Sequence, residues 1–327
     1  MEEKHNTEVS VEKANQWRVS VLIPAYNEEG NVALVIDKVA KAFEARGVDG
    51  EVVLVDDGST DGTSHEAAAC AARYPFIKVV SHRRNLGLTE ALRTGFRHVS
   101  GDIIILLPGD LESDPEEDIP KLLDKLAEGY DVVAGWRQGR RDHKIVASKI
   151  YNFVSRLLFN VQAHDMNWVK AFRREVIEGL YLRSDWHRFI LMIAASQGYK
   201  IGEVPTNYYP RRQGKSKYGL GRIPVSFLDV LVVKFLLTFS RKPMIFFGAL
   251  GSALILAASG IGVYLLHQWF TRVRQLRPVF NFGVILALAG LIIFLVGFLA
   301  ELVVDQHERI EELERMIKDL AGDEERP

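Results

Sequence analysis

Glu51-Val52-Val53-Leu54-Val55-Asp56-Asp57-Gly58-Ser59-Thr60-Asp61-Gly62 is the stretch on which the reading of this chain turns. Its apolar, β-branched run reads as a buried strand. It stops at two adjacent carboxylates and passes into a turn rich in Gly, Ser and Asp. A strand that ends this way delivers charge to the carboxyl edge of a sheet, where open α/β sheets bind their ligands. Taken alone, the stretch also fits a strand closed by an ordinary acidic turn.

The flanking sequence repeats the pattern. Arg18 to Ile23 reads as a strand ended by Pro24-Ala25-Tyr26-Asn27-Glu28-Glu29, and Asn31 to Arg46 has helical spacing at Val32, Val35, Ile36, Val39 and Phe43. A helix over 63–74, a strand over 77–80, a helix over 89–98 and a buried strand over 102–107 follow. A helix over 116–128, a strand over 130–135, a helical stretch over 146–159, a short element after Asp165 and a late strand over 203–208 complete the series. Strands alternating with helices imply an α/β fold with a mixed, mainly parallel sheet and right-handed crossovers. The chain lacks both the G-x-G-x-x-G of a dinucleotide fold and the G-K-[ST] of a P-loop.

Composition changes sharply near Pro243. Met244 to Leu266 and Val279 to Ala300 carry no charged residue, and each exceeds the ~20 residues needed to cross a bilayer as a helix. They read as a membrane-anchoring helical hairpin within 243–304. Before it, 223–242 reads as an amphipathic helix at the membrane interface, carrying Asp229 and Lys234. After it, 305–327 is a charged helix with Ile310, Leu313, Ile317 and Leu320 at helical spacing. That spacing fits a short coiled coil, a helix lying on the soluble domain, or an exposed tail. Residues 1–17 read as a flexible arm, polar and charged, without the pattern of a signal peptide. With a net charge of −1, composition offers no basis for nucleic-acid binding. The single cysteine, Cys70, excludes an intramolecular disulfide and points to a reducing compartment.

In a parallel sheet the strand ends lie side by side, so their functional groups converge. The first end offers Pro24, Tyr26 and Glu28; the second Asp56 and Asp57; the fourth Asp110 and Glu112; the fifth Arg137. Alternate residues of an extended segment share a side. On that basis Asp110 and Glu112 are expected to hold one Mg²⁺ or Mn²⁺ against a diphosphate.

Ile23-Pro24-Ala25-Tyr26-Asn27-Glu28, the Val55 to Gly62 segment and Asn85-Leu86-Gly87 together resemble the family 2 glycosyltransferases of the GT-A fold. Arg137, the Arg211–Lys217 segment and the two apolar runs extend the resemblance to the polyprenyl-phosphate branch, which includes dolichol-phosphate mannose synthases and undecaprenyl-phosphate sugar transferases. The resemblance covers residues 18–240 and implies that 18–222 is the catalytic domain. It implies nucleotide-sugar contacts from Pro24, Tyr26, Glu28, Val55, Asp56, Asn85, Asp110 and Arg137, with Asp57 supporting the turn. It also implies metal and diphosphate binding by Asp110 and Glu112, and catalytic roles for Asp110 and Arg137. The chain departs from the family's D-x-D-x-Q pattern: Pro108 stands at the first Asp position and Glu112 at the Gln position. Lys170 stands near the place of the family's Gly-Phe-Arg.

Arg211-Arg212-Gln213-Gly214-Lys215-Ser216-Lys217 is similar to the family's R-x-x-G-x-S-K pattern. By that likeness Arg211, Lys215, Ser216 and Lys217 would hold the lipid phosphate. Cations just before a membrane-proximal helix also attract anionic headgroups without any specific site. The resemblance further implies inverting transfer from a nucleotide-diphosphate sugar to a polyprenyl phosphate at the cytoplasmic face of the plasma (inner) membrane, by a multi-pass chain. Partners would then be the donor, the lipid acceptor and the bilayer, with homo-oligomers a further expectation. Arg222, Lys234, Arg241 and Lys242 agree with a cytoplasmic domain, whereas Arg272, Arg274 and Arg277 in the inter-span loop do not. Two other functions fit: a family 2 enzyme acting on a hydroxyl acceptor, or a silent membrane-anchored nucleotide-sugar sensor, for which Pro108 speaks.

Overall fold

The computed structural model describes residues 17–139, 152–156, 158–159, 161, 163–180, 182, 186–210, 223–239, 242–272 and 277–324. Residues 1–16 of the expected arm, half of the helical stretch over 146–159 and the basic segment from Arg211 to Arg222 lie outside them. The chain divides into two compact units, 1–230 and 231–327.

In the first unit, strands β1 (Val19–Ala25), β2 (Gly50–Asp56), β3 (Ile77–Ser81), β4 (Ile103–Leu106), β5 (Val132–Gln138), β6 (Lys170–Arg173) and β7 (Ile201–Asn207) form one sheet. Helices α1 (Val32–Arg46), α2 (Thr63–Arg73), α3 (Leu88–His98), α4 (Pro115–Ala127), α5 (Arg174–Glu178) and α6 (Ile190–Ser196) connect them. The strand order is β3-β2-β1-β4-β6-β5-β7. β1 pairs in parallel with β2 and β4, β2 with β3, and β5 with β7. β6 alone is antiparallel, to both β4 and β5. The sheet is therefore mixed and mainly parallel.

The runs of Val, Ile and Leu in β1, β2 and β4 are buried on both faces, as helices covering both sides of a parallel sheet require. Val35, Ile36, Val39 and Phe43 of α1 and Ile119, Leu122, Leu123 and Leu126 of α4 pack on one face. On the other, α3 approaches β1 closely at Gly95, where a Cβ would stand 2.2 Å from Leu22 Cδ1. Opposite the carboxyl edge, buried Glu51 Oε1 accepts from Ser20 Oγ at 2.6 Å and from Ser100 Oγ at 2.9 Å. Burial alone would push the Glu51 carboxyl up, but these bonds and Lys78 hold it below its usual range.

Helix α7 (Ile223–Phe239) contains the boundary between the units. The second unit is dominated by α8 (Pro243–Arg272) and α9 (Arg277–Glu324). Both are long and apolar enough to cross a membrane, over Pro243–Thr271 and Arg277–Gln306. Glycines let their backbones meet: a Cβ on Gly251 would lie 2.7 Å from Gly290 O, and one on Gly290 2.8 Å from Gly251 O. Small residues make such approaches where apolar burial supplies no drive between helices. Met244 N donates to Glu301 Oε2 at 3.1 Å, satisfying one of the unpaired amides at the α8 N-terminus. The second apolar run and the charged C-terminal segment are one continuous helix, α9, rather than two elements.

Candidate active site

The parallel strands β1, β2, β3, β4, β5 and β7 all end at one edge of the sheet, and β6 begins there. Pro24 and Val55 are paired neighbours on β1 and β2, with Asp56 opposite Ala25. Beyond them the two loops are laced together. Asn27 adopts φ 56°. Its side-chain Oδ1 accepts from Thr60 N at 2.8 Å, and its own N–H donates to Ser59 Oγ at 3.0 Å. Glu28 N donates to Thr63 Oγ1 at 2.8 Å, and Glu28 Oε2 accepts from Asn31 Nδ2 at 2.9 Å. Tyr26 and Glu28 are half-buried at this mouth.

The two carboxylates that end β2 act differently. Buried Asp56 turns back into its own loop, accepting from Ser59 N at 3.0 Å and from Ser64 Oγ. Asp57 reaches across to the loop after β3, accepting from Leu86 N at 2.9 Å and Gly87 N at 2.8 Å, with His82 Nδ1 at 2.8 Å. That grip brings Asn85 to the edge in an exposed position. Gly58 sits between the loops at φ 69°, where a Cβ would fall 2.3 Å from the Arg84 carbonyl carbon. Only glycine meets both demands.

The loop after β4 corrects one sequence expectation. Residues 110–112 are not extended: Leu111 has φ 56°, and Glu112 N donates to Asp110 Oδ1 at 3.1 Å. The segment is a carboxylate-capped turn, so strand alternation does not set the two side chains side by side. Asp110 is nonetheless buried at the edge, and Glu112 half-buried beside it. Magnesium is commonly held by one or two carboxylates together with substrate phosphates. The donor set of Asp110 and Glu112 suits such an ion. Among the described residues no group of three or more His, Cys, Asp or Glu side chains could enclose a metal by protein ligands alone.

Arg137 does not stand open at the edge. Its Nε donates to Asp165 Oδ2 at 2.5 Å and its Nη2 to Asp165 Oδ1 at 3.0 Å. The guanidinium carbon lies 4.6 Å from the centre of the Trp168 ring. Trp168 Nε1 donates to Thr206 Oγ1 at 2.9 Å, tying the stack to β7. Beneath it Lys170, the first residue of β6, is wholly buried and donates to Trp168 O at 2.7 Å. Burial pushes its pKa down to about 8; Asp165 opposes the shift and Arg137 adds to it. Outside this stack, His164 lies against Trp136 with ring centres 4.2 Å apart, and its Nδ1 is 2.7 Å from Glu203 Oε2. Sequence reasoning did not reach Trp168, Thr206, His164 or Glu203. They meet only through folding, and the one local signal was a run of polar and aromatic residues around Asp165.

The basic residues proposed for the lipid phosphate, Arg211, Lys215, Ser216 and Lys217, lie outside the described residues. The chain leading to them is fixed. Tyr209 N donates to Glu112 O at 2.9 Å, and Tyr209 OH to Glu117 Oε1 at 2.8 Å. Asn207 Nδ2 donates to Glu117 Oε2 at 2.7 Å. Arg211 therefore follows, two residues on, from a position clamped to the turn that carries Asp110.

The mainly parallel sheet thus sets acidic turns at one end of its edge and the buried Lys170 with the half-buried Arg137 towards the other. The solved structures bear on the fold: glucosyl-3-phosphoglycerate synthase from Mycobacterium tuberculosis, with Mn²⁺, uridine diphosphate and glucosyl-3-phosphoglycerate, superposes with a TM-score of 0.56 at 23% identity, over 68% of this chain and 82% of that one. The same enzyme with Mg²⁺ and uridine diphosphate gives 0.56 at 22% identity, over 68% and 82%. These likenesses identify the GT-A architecture. The model of the glycosyl transferase family 2 matches residues 20–187. The dodecaprenyl-phosphate galacturonate synthase of Rhizobium johnstonii is 32% identical over 301 residues, 89% of each chain. The chain belongs to glycosyltransferase family 2 and is a glycosyltransferase.

Proposed function

We propose that the chain transfers a sugar from a nucleotide diphosphate to a polyprenyl phosphate, with inversion, at the cytoplasmic face of the inner membrane. One observation carries this reading: Tyr209, which leads into the basic segment, is bonded to the Asp110–Glu112 turn. In sequence the basic residues 211–217, which would receive the acceptor, begin two positions after Tyr209. The relative that acts on a dodecaprenyl phosphate supports the reading, because the match extends over 89% of both chains.

A phosphate monoester with a second pKa of about 6 is already a nucleophile near neutrality. Acceptor activation needs no general base, and the protein's work is positioning and charge stabilisation. Pro24, Tyr26, Glu28, Val55 and Asp56 shape the nucleoside pocket, and Asp57 holds the Asn85 loop over it. Asp110 and Glu112 would hold the divalent ion, which when bound neutralises charge on the departing diphosphate. Arg137, kept planar between Asp165 and Trp168, offers a fixed cation on the donor side. Arg211, Lys215, Ser216 and Lys217 would receive the lipid phosphate. The two long apolar helices would keep the chain at the surface where that acceptor resides.

The test is incubation of the purified full chain with labelled nucleotide sugars, nucleotide-activated galacturonate among them, and undecaprenyl or dolichyl phosphate. An acid-labile lipid-phosphate sugar is the expected product. Asp110→Asn is expected to abolish transfer while leaving lipid binding intact; full activity in that variant removes Asp110 from the site. Transfer only to a hydroxyl acceptor, or tight nucleotide binding without turnover, overturns the proposal.

A further inference from the structure

Helix α9 carries an apolar seam that its own hairpin leaves uncovered. Ile292, Val296, Leu299, Val303, Ile310, Leu313, Ile317 and Leu320 alternate in steps of four and three, the series interrupted once, at Gln306. This is the a/d spacing of a coiled coil. Among its described side chains, Ile292 is 61% exposed, Leu299 63%, Val303 69%, Ile310 53% and Leu313 58%. The contact with α8 uses another face. Gly283, Gly290 and Gly297 recur at seven-residue intervals and meet Ile261, Gly251 and Met244. At 100° per residue, that glycine face lies roughly 150° around the helix from the seam. Packing within the hairpin thus leaves the described side chains of the seam open from Ile292 to Leu313.

Residue types along the seam specify the occupant. Within the membrane span, apolar residues on every face make the spacing uninformative. Beyond Val304 the helix turns charged, and the spacing stands out among Asp305, Glu308, Glu311, Glu312, Lys318 and Asp319. Val303, Ile310 and Ile317 occupy a positions and Leu313 and Leu320 occupy d, a combination that favours two parallel strands. Arg309 occupies g and Glu314 the following e. In a parallel, in-register pair each g position faces the next e of the partner, so opposite charges meet there twice. Arg309 pairs with Asp305 of its own helix at 3.1 Å, and its fork of five N–H donors leaves others for a second carboxylate. Two copies inserted in one membrane with the same orientation present their α9 helices in parallel.

We propose that this seam is a homodimer interface: the α9 helices of two copies form a parallel coiled coil that begins within the bilayer and continues beyond it through Leu320. The inference is independent of which sugar or acceptor the enzyme uses. It is tested by placing single cysteines in the full chain, oxidising membranes mildly, and resolving the products by mass. Native Cys70 is buried, so the unaltered chain is the blank. Leu313→Cys should yield a disulfide-linked dimer and Glu308→Cys, at an outward f position, should not. Glu314→Arg should reduce the Leu313→Cys dimer, and adding Arg309→Glu should restore it. No dimer from Leu313→Cys, equal dimer from both cysteine positions, or an adduct with a different protein would overturn the proposal. Failure of the charge exchange to restore the dimer would overturn its parallel register. Sugar transfer by the same variants should persist, which separates a failed interface from a failed fold.

Discussion

Replacing Lys170 by methionine should make the folded enzyme more tolerant of neutral pH. Lys170 is wholly buried on β6 and carries one described hydrogen bond, to Trp168 O at 2.7 Å. Its pKa is pushed by burial from an ordinary 10.5 down to about 8. Between those values the unfolded chain binds a proton that the folded chain does not, so folding stability rises with pH across that window. Below pH 8 the whole cost of the buried charge is present, about 3 kcal/mol. Methionine fills similar space without the charge, and loses a hydrogen bond that contributes about 1–3 kcal/mol at every pH. The difference between the two proteins therefore has a constant part and a part that changes with pH. Thermal unfolding of both proteins in nanodiscs from pH 7 to pH 10 separates the two. The wild-type midpoint should rise relative to Lys170→Met by about 5–10 °C over that range, since 1 kcal/mol moves a domain of this size by about 2–4 °C. Curves that stay parallel would refute the reasoning. Transfer measured at pH 7.5 on the same samples reports whether the Lys170 charge also serves Arg137 and Asp165.

Asp118 on α4 should show the opposite slope. Both its carboxylate oxygens are buried without a hydrogen-bond partner among the described residues, and burial raises its pKa from 3.8 to about 7. Here the folded state holds a proton that the unfolded chain has released, so wild-type stability falls by about 4 kcal/mol as pH rises from 4 to 7. Urea unfolding should find Asp118→Asn gaining on wild type by more at pH 8 than at pH 5; an equal gain at both refutes it. Gly58→Ala should be destabilising by more than about 2 kcal/mol, from a left-handed backbone and a Cβ placed 2.3 Å from Arg84. Because the displaced loop is the one Asp57 grips, calorimetry should show weaker nucleotide binding, and unchanged affinity would contradict the assigned role of that grip.

Much of the sheet was readable from the chain because β1, β2 and β4 are short runs of Val, Ile and Leu ended by Gly, Pro or Asp. β6 was harder: four residues long and opening on a lysine, it has neither the apolar run nor the alternation of a strand. Its existence depends on Leu106 and Ala134 flanking Lys170 from two other strands. The Asp56–Asp57 turn announced itself through composition, but the division of labour between the carboxylates did not, since each role is set by hydrogen bonds to another loop. At Asp110 a local rule misled. Periodicity assumes extended backbone, and Leu111 at φ 56° breaks it. Arg137 was visible as a cation at a strand end. Its partner Asp165 lies 28 residues away, and Thr206 bonds Trp168 across 38. No motif joins positions so far apart. The seven-residue spacing of Gly283, Gly290 and Gly297 acquires meaning only with α8 against them.

The hydrogen bond from Met244 N to Glu301 acts as a depth gauge for the anchor. A carboxylate that caps a helix end is held where water or headgroups can reach it, and it pins the start of α8 level with residue 301 of α9. From that level the 30 residues of α8 extend about 45 Å, against a hydrocarbon core of about 30 Å. Were the hairpin to cross a bilayer, the surplus would emerge on the far side or be taken up by tilt. Tyr264, Trp269 and Phe270, all exposed on the last turns of α8, are the residue types that settle in an opposite headgroup layer. That one carboxylate thereby sets the level at which α8 starts against α9.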